Sequence, residues 1–278
     1  MTLPIIAGRR RGVTRDRSSL GSMAPPVLVL GASLGTTQEL WNPVIDLLDS
    51  EFAEGDGYEI LTWDLPGHGD SPASDTSFTI SDLADSVLAL VDKEFGPSTE
   101  FVYAGDSVAG QVAYELASRN LSRVKAALPV CSAPKIGTAQ AWAERAELVR
   151  GSGVEALVDG ARARWFGPGF VENRPEVAQP LLDALTTVDA DSYIHLCGAL
   201  AEFDATDRLA GITTPVIVVL GEDDAAVPVD DAAMPAAEVQ TGVAIVLPEV
   251  GHLAPVEAPD DVAGILLSVL ADPTEMTD

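Results

Sequence analysis

Two pentapeptides set a serine between small residues: Gly31-Ala32-Ser33-Leu34-Gly35 and Gly105-Asp106-Ser107-Val108-Ala109. A serine attacks a carbonyl when a base takes its proton and a sharp strand-to-helix turn presents its hydroxyl, a bend that small flanking residues permit. The first segment fits G-x-S-x-G in full, whereas the second carries Ala109 in place of the last glycine. Their surroundings separate them. An elbow needs its helix to start directly after the serine, so that the dipole and the unpaired N-terminal amides face the reaction. Val108, Val112 and Leu116 form such a helical stripe, and Ala109, Gly110 and Ala113 allow close packing. After Ser33, Thr36 and Glu39 match a capping box, which defers the helix and leaves 33–35 as a loop. Ser107 is therefore the expected nucleophile, and Ser33 the alternative.

The chain has three histidines. His252 follows the apolar run 243–247, where a loop hangs an imidazole over the edge of a sheet, and it is the expected general base. His68, between Gly67 and Gly69, is expected to shape its loop, and His195 to line a helical core or pocket. The carboxylate that orients the base is expected from Glu222, Asp223 and Asp224, which follow the strand-like run 216–220. Asp224 is preferred, with Asp223 in reserve. The oxyanion donors would be the amides of Val108 and of Leu34, the latter giving the glycines of 31–35 a purpose.

These groups must be held by an alternation of strands and helices. Short apolar runs at 27–30, 60–63, 101–104, 124–130, 216–220 and 243–247 read as buried strands. Helical spacing is found at 40–48, from about Thr79, at 108–119, near 230–237 and at 259–270. The α/β pattern predicts a mostly parallel sheet covered on both faces, with 24–133 and 209–278 as its core. Between them, 134–208 loses the strand signal and reads as an inserted helical lid. Residues 1–23 are expected to be a basic, poorly ordered tail. Arg9–Arg11 resembles the start of a twin-arginine signal, but 12–19 stays polar where such a signal turns apolar.

Composition narrows the chemistry. Sixteen basic residues face 43 acidic ones, a net charge of −27, so a nucleic-acid backbone would be repelled. Five of the sixteen lie within the first 17 positions, which makes the remainder still more acidic. Cys131 and Cys197 form no framework and are expected to be reduced in a cytoplasmic protein. No apolar run approaches the roughly 20 residues of a membrane span. His68 to Pro72 lacks the glycine pattern of a dinucleotide site, and three dispersed histidines argue against zinc, so no cofactor or metal is expected.

From about Pro26 onward the sequence resembles the α/β-hydrolases, and more narrowly the 3-oxoadipate enol-lactonases. The resemblance rests on SLGTTQELW (33–41), WDLPGHGDSP (63–72), YAGDSVAG (103–110), KIGTAQAWAER (135–145), RWFGPGF (164–170) and the GEDD and GHL loops. It implies Ser107, Asp224 and His252 as the triad and Leu34 and Val108 as oxyanion donors. The implied reaction is opening of an anionic enol-lactone in aromatic catabolism. The substrate carboxylate then needs local cations, for which Arg145, Arg164 and Lys135 in the lid motifs are candidates, with Trp142 and Trp165 walling the ring. Other small-ester or C–C bond hydrolysis on the same fold, and a ligand-binding protein without catalysis, are the alternatives. Haloalkane dehalogenation is disfavoured because it uses aspartate at the position of Ser107.

Overall fold

The computed structural model describes residues 3–12, 25–51 and 57–274. Its strands are β1 (Gly8–Gly12), β2 (Val27–Gly31), β3 (Glu59–Trp63), β4 (Phe101–Asp106), β5 (Val124–Val130), β6 (Val216–Gly221) and β7 (Gly242–Leu247). They form one sheet in the order β1-β3-β2-β4-β5-β6-β7, with only β1 antiparallel. β2, β3, β4 and β6 are buried along their whole length, as strands covered on both faces must be. The helices between them are α1 (Asn42–Glu51), α2 (Ile80–Phe95), α3 (Val108–Ser118), α9 (Val229–Ala236), α10 (Ala254–Glu257) and α11 (Pro259–Ala271). α1 packs on α11 and α2 on α3.

Between β5 and β6 the chain runs through α4 (Ala139–Ser152), α5 (Val158–Trp165), α6 (Phe170–Asn173), α7 (Pro175–Leu185) and α8 (Ala190–Glu202). The chain leaves β2 for β3 on one side and later places β4 on its other side, so the crossover direction reverses between β2 and β4. In open α/β sheets a crevice forms at that point, beyond the carboxyl ends of the strands. Ser33 and Leu34 follow β2 and Ser107 follows β4, so all three emerge there.

Two sequence expectations fail, each for a physical reason. Residues 8–12, assigned to a poorly ordered tail, form β1, paired antiparallel with β3 from Gly8 opposite Trp63 to Gly12 opposite Glu59. The segment has no apolar alternation because it is an edge strand held by charge: Arg9 donates to Asp70 at 2.7 Å and Arg10 to Glu59 at 2.7 Å. Residues 3–7 of the expected tail are also held, with Ser86 Oγ donating to the Pro4 carbonyl at 2.8 Å and the Ala7 amide donating to Ser71 Oγ at 2.7 Å, while 1–2 and 13–23 lie outside the described residues. The Thr36–Glu39 capping box is not formed either. Thr36 Oγ1 donates to the Ser33 carbonyl at 2.9 Å, and Glu39 faces Arg9 instead. The 3₁₀ turn Gln38–Trp41 leads into α1, and its Gln38 amide donates to Asp64 Oδ1 at 2.6 Å, so a carboxylate from a distant loop takes the capping role. The box does occur at α2, where Thr79 Oγ1 accepts from the Asp82 amide and Asp82 accepts from the Thr79 amide.

Ala109 fits because glycines make room for it. Gly31 and Gly105 stand opposite each other across β2 and β4. A Cβ at Gly31 would lie 2.6 Å from the Ala109 methyl, 2.8 Å from the Tyr103 hydroxyl and 2.9 Å from Trp63. At Gly105 it would lie 2.2 Å from the Ala109 carbonyl oxygen. Gly31→Ala is expected to destabilise the fold by about 2–3 kcal/mol, the range of overpacked cores, and adding Ala109→Gly should recover part of that loss. Urea unfolding of the two single variants and the double variant measures the coupling; strict additivity would mean that the two methyl groups do not compete for space.

Candidate active site

Ser107 joins the buried end of β4 to the first turn of α3, with φ 55° and ψ −114°. A positive φ at a non-glycine residue is strained, and the surrounding structure must enforce it. The Ser107 amide donates to the Val130 carbonyl at 2.8 Å, and Ser132 Oγ donates to the Ser107 carbonyl at 2.7 Å, clamping the bend from β5. Ser107 Oγ lies 2.9 Å from His252 Nε2, and His252 Nδ1 lies 2.8 Å from Asp224 Oδ2. The other Asp224 oxygen accepts from the amides of Ala226 at 2.8 Å and Val227 at 2.9 Å, which fixes the carboxylate plane. Glu222 and Asp223 are exposed, whereas Asp224 is buried, so the turn after β6 selects one of the three acids.

The histidine loop is tied to the inserted helices, since the His252 amide donates to the Trp165 carbonyl at 2.9 Å. Leu34 lines the cavity above Ser107 and Val108 opens α3. Among the described residues neither amide donates to a backbone carbonyl in a turn or loop. The geometry of the three side chains suits acyl transfer: a hydroxyl on a base, and the base on a fixed carboxylate.

Burial alone would lower the imidazole pKa of His252, but the acids around it outweigh burial and raise it, Asp224 first through its charge and hydrogen bond, then Asp106 and Glu257. Burial pushes the carboxyl of Asp106 well above the carboxylate range, and the nearby Asp224 adds to the rise. Burial also raises Glu257 and moves the Cys131 thiol well up. Cys131 and Cys197 are both free and buried.

The cavity over Ser107 encloses about 160 Å³. Ser33, Leu34, Trp142, Arg145, Arg164, Trp165, Tyr193 and His252 contribute to its wall. Of the lid residues singled out in the sequence, Trp142, Arg145, Arg164 and Trp165 line this cavity and Lys135 does not. It is exposed and pairs with Asp204 at 2.9 Å, a partner 69 positions away that the motif could not reveal. Arg150 and Arg174 likewise pair with Glu147 and Glu176, and Arg162 donates to Gln179. Among the described residues Arg145 and Arg164 have no carboxylate partner. Burial and the neighbouring Arg145 charge depress the Arg164 pKa, and the Arg145 guanidinium lies 5.0 Å from the Trp142 ring centroid.

Tyr193 was not expected. It is 3% exposed, lies on α8 and interacts with both arginines. Its distance in sequence from Arg145 and Arg164 hides the cluster. His195 packs edge-on to Phe78, and His68 is buried in its loop, so neither reaches Ser107.

The model of the alpha/beta hydrolase family matches residues 25–265, and the chain belongs to that family. It is an enzyme of the hydrolase class. It is 33% identical to 3-oxoadipate enol-lactonase 2 of Acinetobacter baylyi over 89% of both chains. It is 29% identical to 3-oxoadipate enol-lactonase 1 of the same organism over 92% of both. The crystal structure of the enol-lactonase from Burkholderia xenovorans LB400 superposes with a TM-score of 0.86 at 26% identity, covering 96% of each chain. No helix among the described residues is long and apolar enough to cross a membrane.

Proposed function

We propose that this protein opens 3-oxoadipate enol-lactone to 3-oxoadipate in aromatic breakdown, through an acyl-enzyme on Ser107. The observation that carries the reading is the pair Arg145 and Arg164, which have no carboxylate partner among the described residues, in the same small cavity as the Ser107–His252 pair. In a chain of net charge −27, two cations that no described acid pairs with are matched to an anion brought in from outside. A cavity of about 160 Å³ is smaller than the roughly 300–1,000 Å³ of sites for drug-sized ligands, which suits a single small ring. The enol-lactonase relatives point the same way.

In the proposed reaction Ser107 Oγ attacks the lactone carbonyl while its proton passes to His252 Nε2. The amides of Leu34 and Val108 receive the charge that forms on the carbonyl oxygen. The ring C–O bond breaks, the leaving enolate takes the proton from His252 and becomes a ketone, and the product stays attached as a Ser107 ester. His252 then takes a proton from water, whose oxygen attacks that ester; the acyl–Oγ bond breaks, Ser107 Oγ takes the proton back from His252, and the second carboxylate is freed. Asp224 steadies the imidazolium in both halves. Arg145 and Arg164 hold the substrate carboxylate and so fix which carbonyl faces Ser107.

The test is loss of the ultraviolet absorbance of the enol-lactone on incubation with purified protein. Turnover of simple aryl esters without lactone turnover would move the reading to another small-ester hydrolase. Arg145→Ala is expected to raise KM for the anionic lactone by about 10- to 100-fold, the loss of one charge-assisted contact, and to change KM for a neutral aryl ester by less than about threefold. Equal changes for both substrates would remove the arginine from carboxylate recognition.

A further inference from the structure

The loop 64–72 has no part in the proposed chemistry, yet one of its side chains reaches the turn that carries the Leu34 amide. Ser33 to Thr36 form a β-turn closed by the Thr36 amide, which donates to the Ser33 carbonyl at 3.0 Å, with Gly35 third at φ 87°. That φ marks a type II turn, which differs from type I by a flip of its middle peptide. Here the middle peptide is the one between Leu34 and Gly35. Its N–H, on Gly35, donates to His68 Nε2 at 3.1 Å, and His68 Nδ1 lies 2.9 Å from the Pro66 carbonyl. The two partners define the tautomer: Nδ1 carries the proton and donates to Pro66, leaving Nε2 as the acceptor. His68 is 0% exposed, and burial lowers its pKa to about 4, so the acceptor persists at neutral pH.

The preceding peptide contains the Leu34 N–H itself. Its carbonyl, on Ser33, accepts from both the Thr36 amide and Thr36 Oγ1. In a trans peptide the N–H points opposite to the C=O, so gripping the Ser33 oxygen from one side aims the Leu34 N–H to the other. Two consecutive peptide planes are therefore each held by a side chain, one by Thr36 and one by His68. With no acceptor at His68, the Gly35 N–H would be buried and unpaired, and the turn would lose its bias against the flipped form.

We propose that His68 and Thr36 are positioning residues of the oxyanion hole, fixing the Leu34 amide by holding the peptide planes on either side of that residue. The inference rests on the acyl-enzyme reading for its catalytic consequence, and its geometry can be measured apart from it. His68→Leu removes the acceptor, His68→Gln keeps one at a similar reach, and Thr36→Val removes only the hydroxyl.

His68→Leu is expected to lower kcat for the lactone and the rate of fluorophosphonate labelling of Ser107 by about 10- to 100-fold, part of the loss seen when an oxyanion donor is removed outright, with KM within about threefold. His68→Gln should recover most of both rates, and Thr36→Val should lose about three- to tenfold in each. Wild-type rates in His68→Leu, or a loss in KM alone, would overturn the proposal. If His68→Leu does not fold, Thr36→Val decides by the same readouts. Imidazole ¹⁵N NMR of the wild type should find His68 as the neutral Nδ1–H form at pH 6; an Nε2–H form or a protonated ring overturns the proposal whatever the substrate is. A wild type that shows this tautomer but does not label at Ser107 would count against the acyl-enzyme reading and leave the turn geometry supported.

Discussion

Ser107→Ala is expected to lower kcat by about 10⁴- to 10⁶-fold, while Ser33→Ala stays within about tenfold of the wild type. Ser107 Oγ is the hydroxyl on His252 Nε2, and no neighbouring group can replace the bond it would make to an acyl group. Ser33 also lines the cavity, but the turn uses its carbonyl, gripped by Thr36, and that carbonyl survives the substitution. Only the contact of the Ser33 side chain is lost. Turnover of the enol-lactone measures the first effect. Mass mapping of a fluorophosphonate adduct measures the second, because the label should fall on the peptide containing Ser107 and persist in Ser33→Ala. An adduct on Ser33, or activity in Ser107→Ala, would reverse the assignment. The sharper fit of 31–35 to G-x-S-x-G is then a property of the Ser33–Thr36 turn, which needs Gly35 in the left-handed region and leaves no space for a Cβ there, with Leu185 at 2.8 Å.

The same contrast explains how much of the molecule was legible in its sequence. The strands and helices of the α/β alternation follow from local periodicity, since a strand buried on both faces must be apolar throughout and a helix must turn one face inward. The start of α3 at Val108 and the strands β4 and β6 are cases where local pattern and tertiary role agree. Where a feature depends on a partner distant in sequence, the pattern says nothing. β1 reads as a charged tail because its stabilisation comes from Glu59 and Asp70. Thr36 has the spacing of a cap and serves a turn, because Asp64 already holds the amide at the start of the next helical turn. Lys135 sits in a motif rich in substrate candidates and is drawn off by Asp204, whereas Arg145, ten residues on, has no carboxylate partner among the described residues. Tyr193 joins the arginines only because α8 packs against α4. The choice of Asp224 from three adjacent acids required knowing which one the turn after β6 buries, and burial is not a property of adjacent residues in a string.

Asp224→Asn is expected to lower kcat by about 10⁴-fold at neutral pH and to move the acidic limb of the pH–rate profile downward. The carboxylate has two tasks with separate oxygens: one accepts from the amides of Ala226 and Val227, the other from His252 Nδ1. An asparagine keeps its single carbonyl oxygen on the two amides, because turning it round would set an NH₂ against two N–H donors. Its NH₂ then faces His252 Nδ1, which must become the acceptor, and the imidazole proton moves to Nε2, where it meets the Ser107 hydroxyl. A ring protonated at Nε2 cannot take the serine proton, so the loss is one of tautomer rather than of shape. The pH effect has a definite sign. In the wild type Asp224 holds the His252 pKa above 6.5, and the base is neutral and active only above that pKa. Without that negative charge, less opposes the burial that disfavours protonation, and the residual activity should rise at lower pH than in the wild type. Asp106 and Glu257 also raise the His252 pKa, after Asp224, so the displacement of the limb reports the Asp224 share alone. The profile of kcat/KM between pH 4 and 9 for the wild type, Asp224→Asn and Asp223→Asn separates the cases. Asp223→Asn should retain the wild-type limb, since its side chain is exposed and its amide is bound to the Val250 carbonyl. A large loss in Asp223→Asn with little in Asp224→Asn would mean that the loop after β6 presents a different acid to the histidine during turnover.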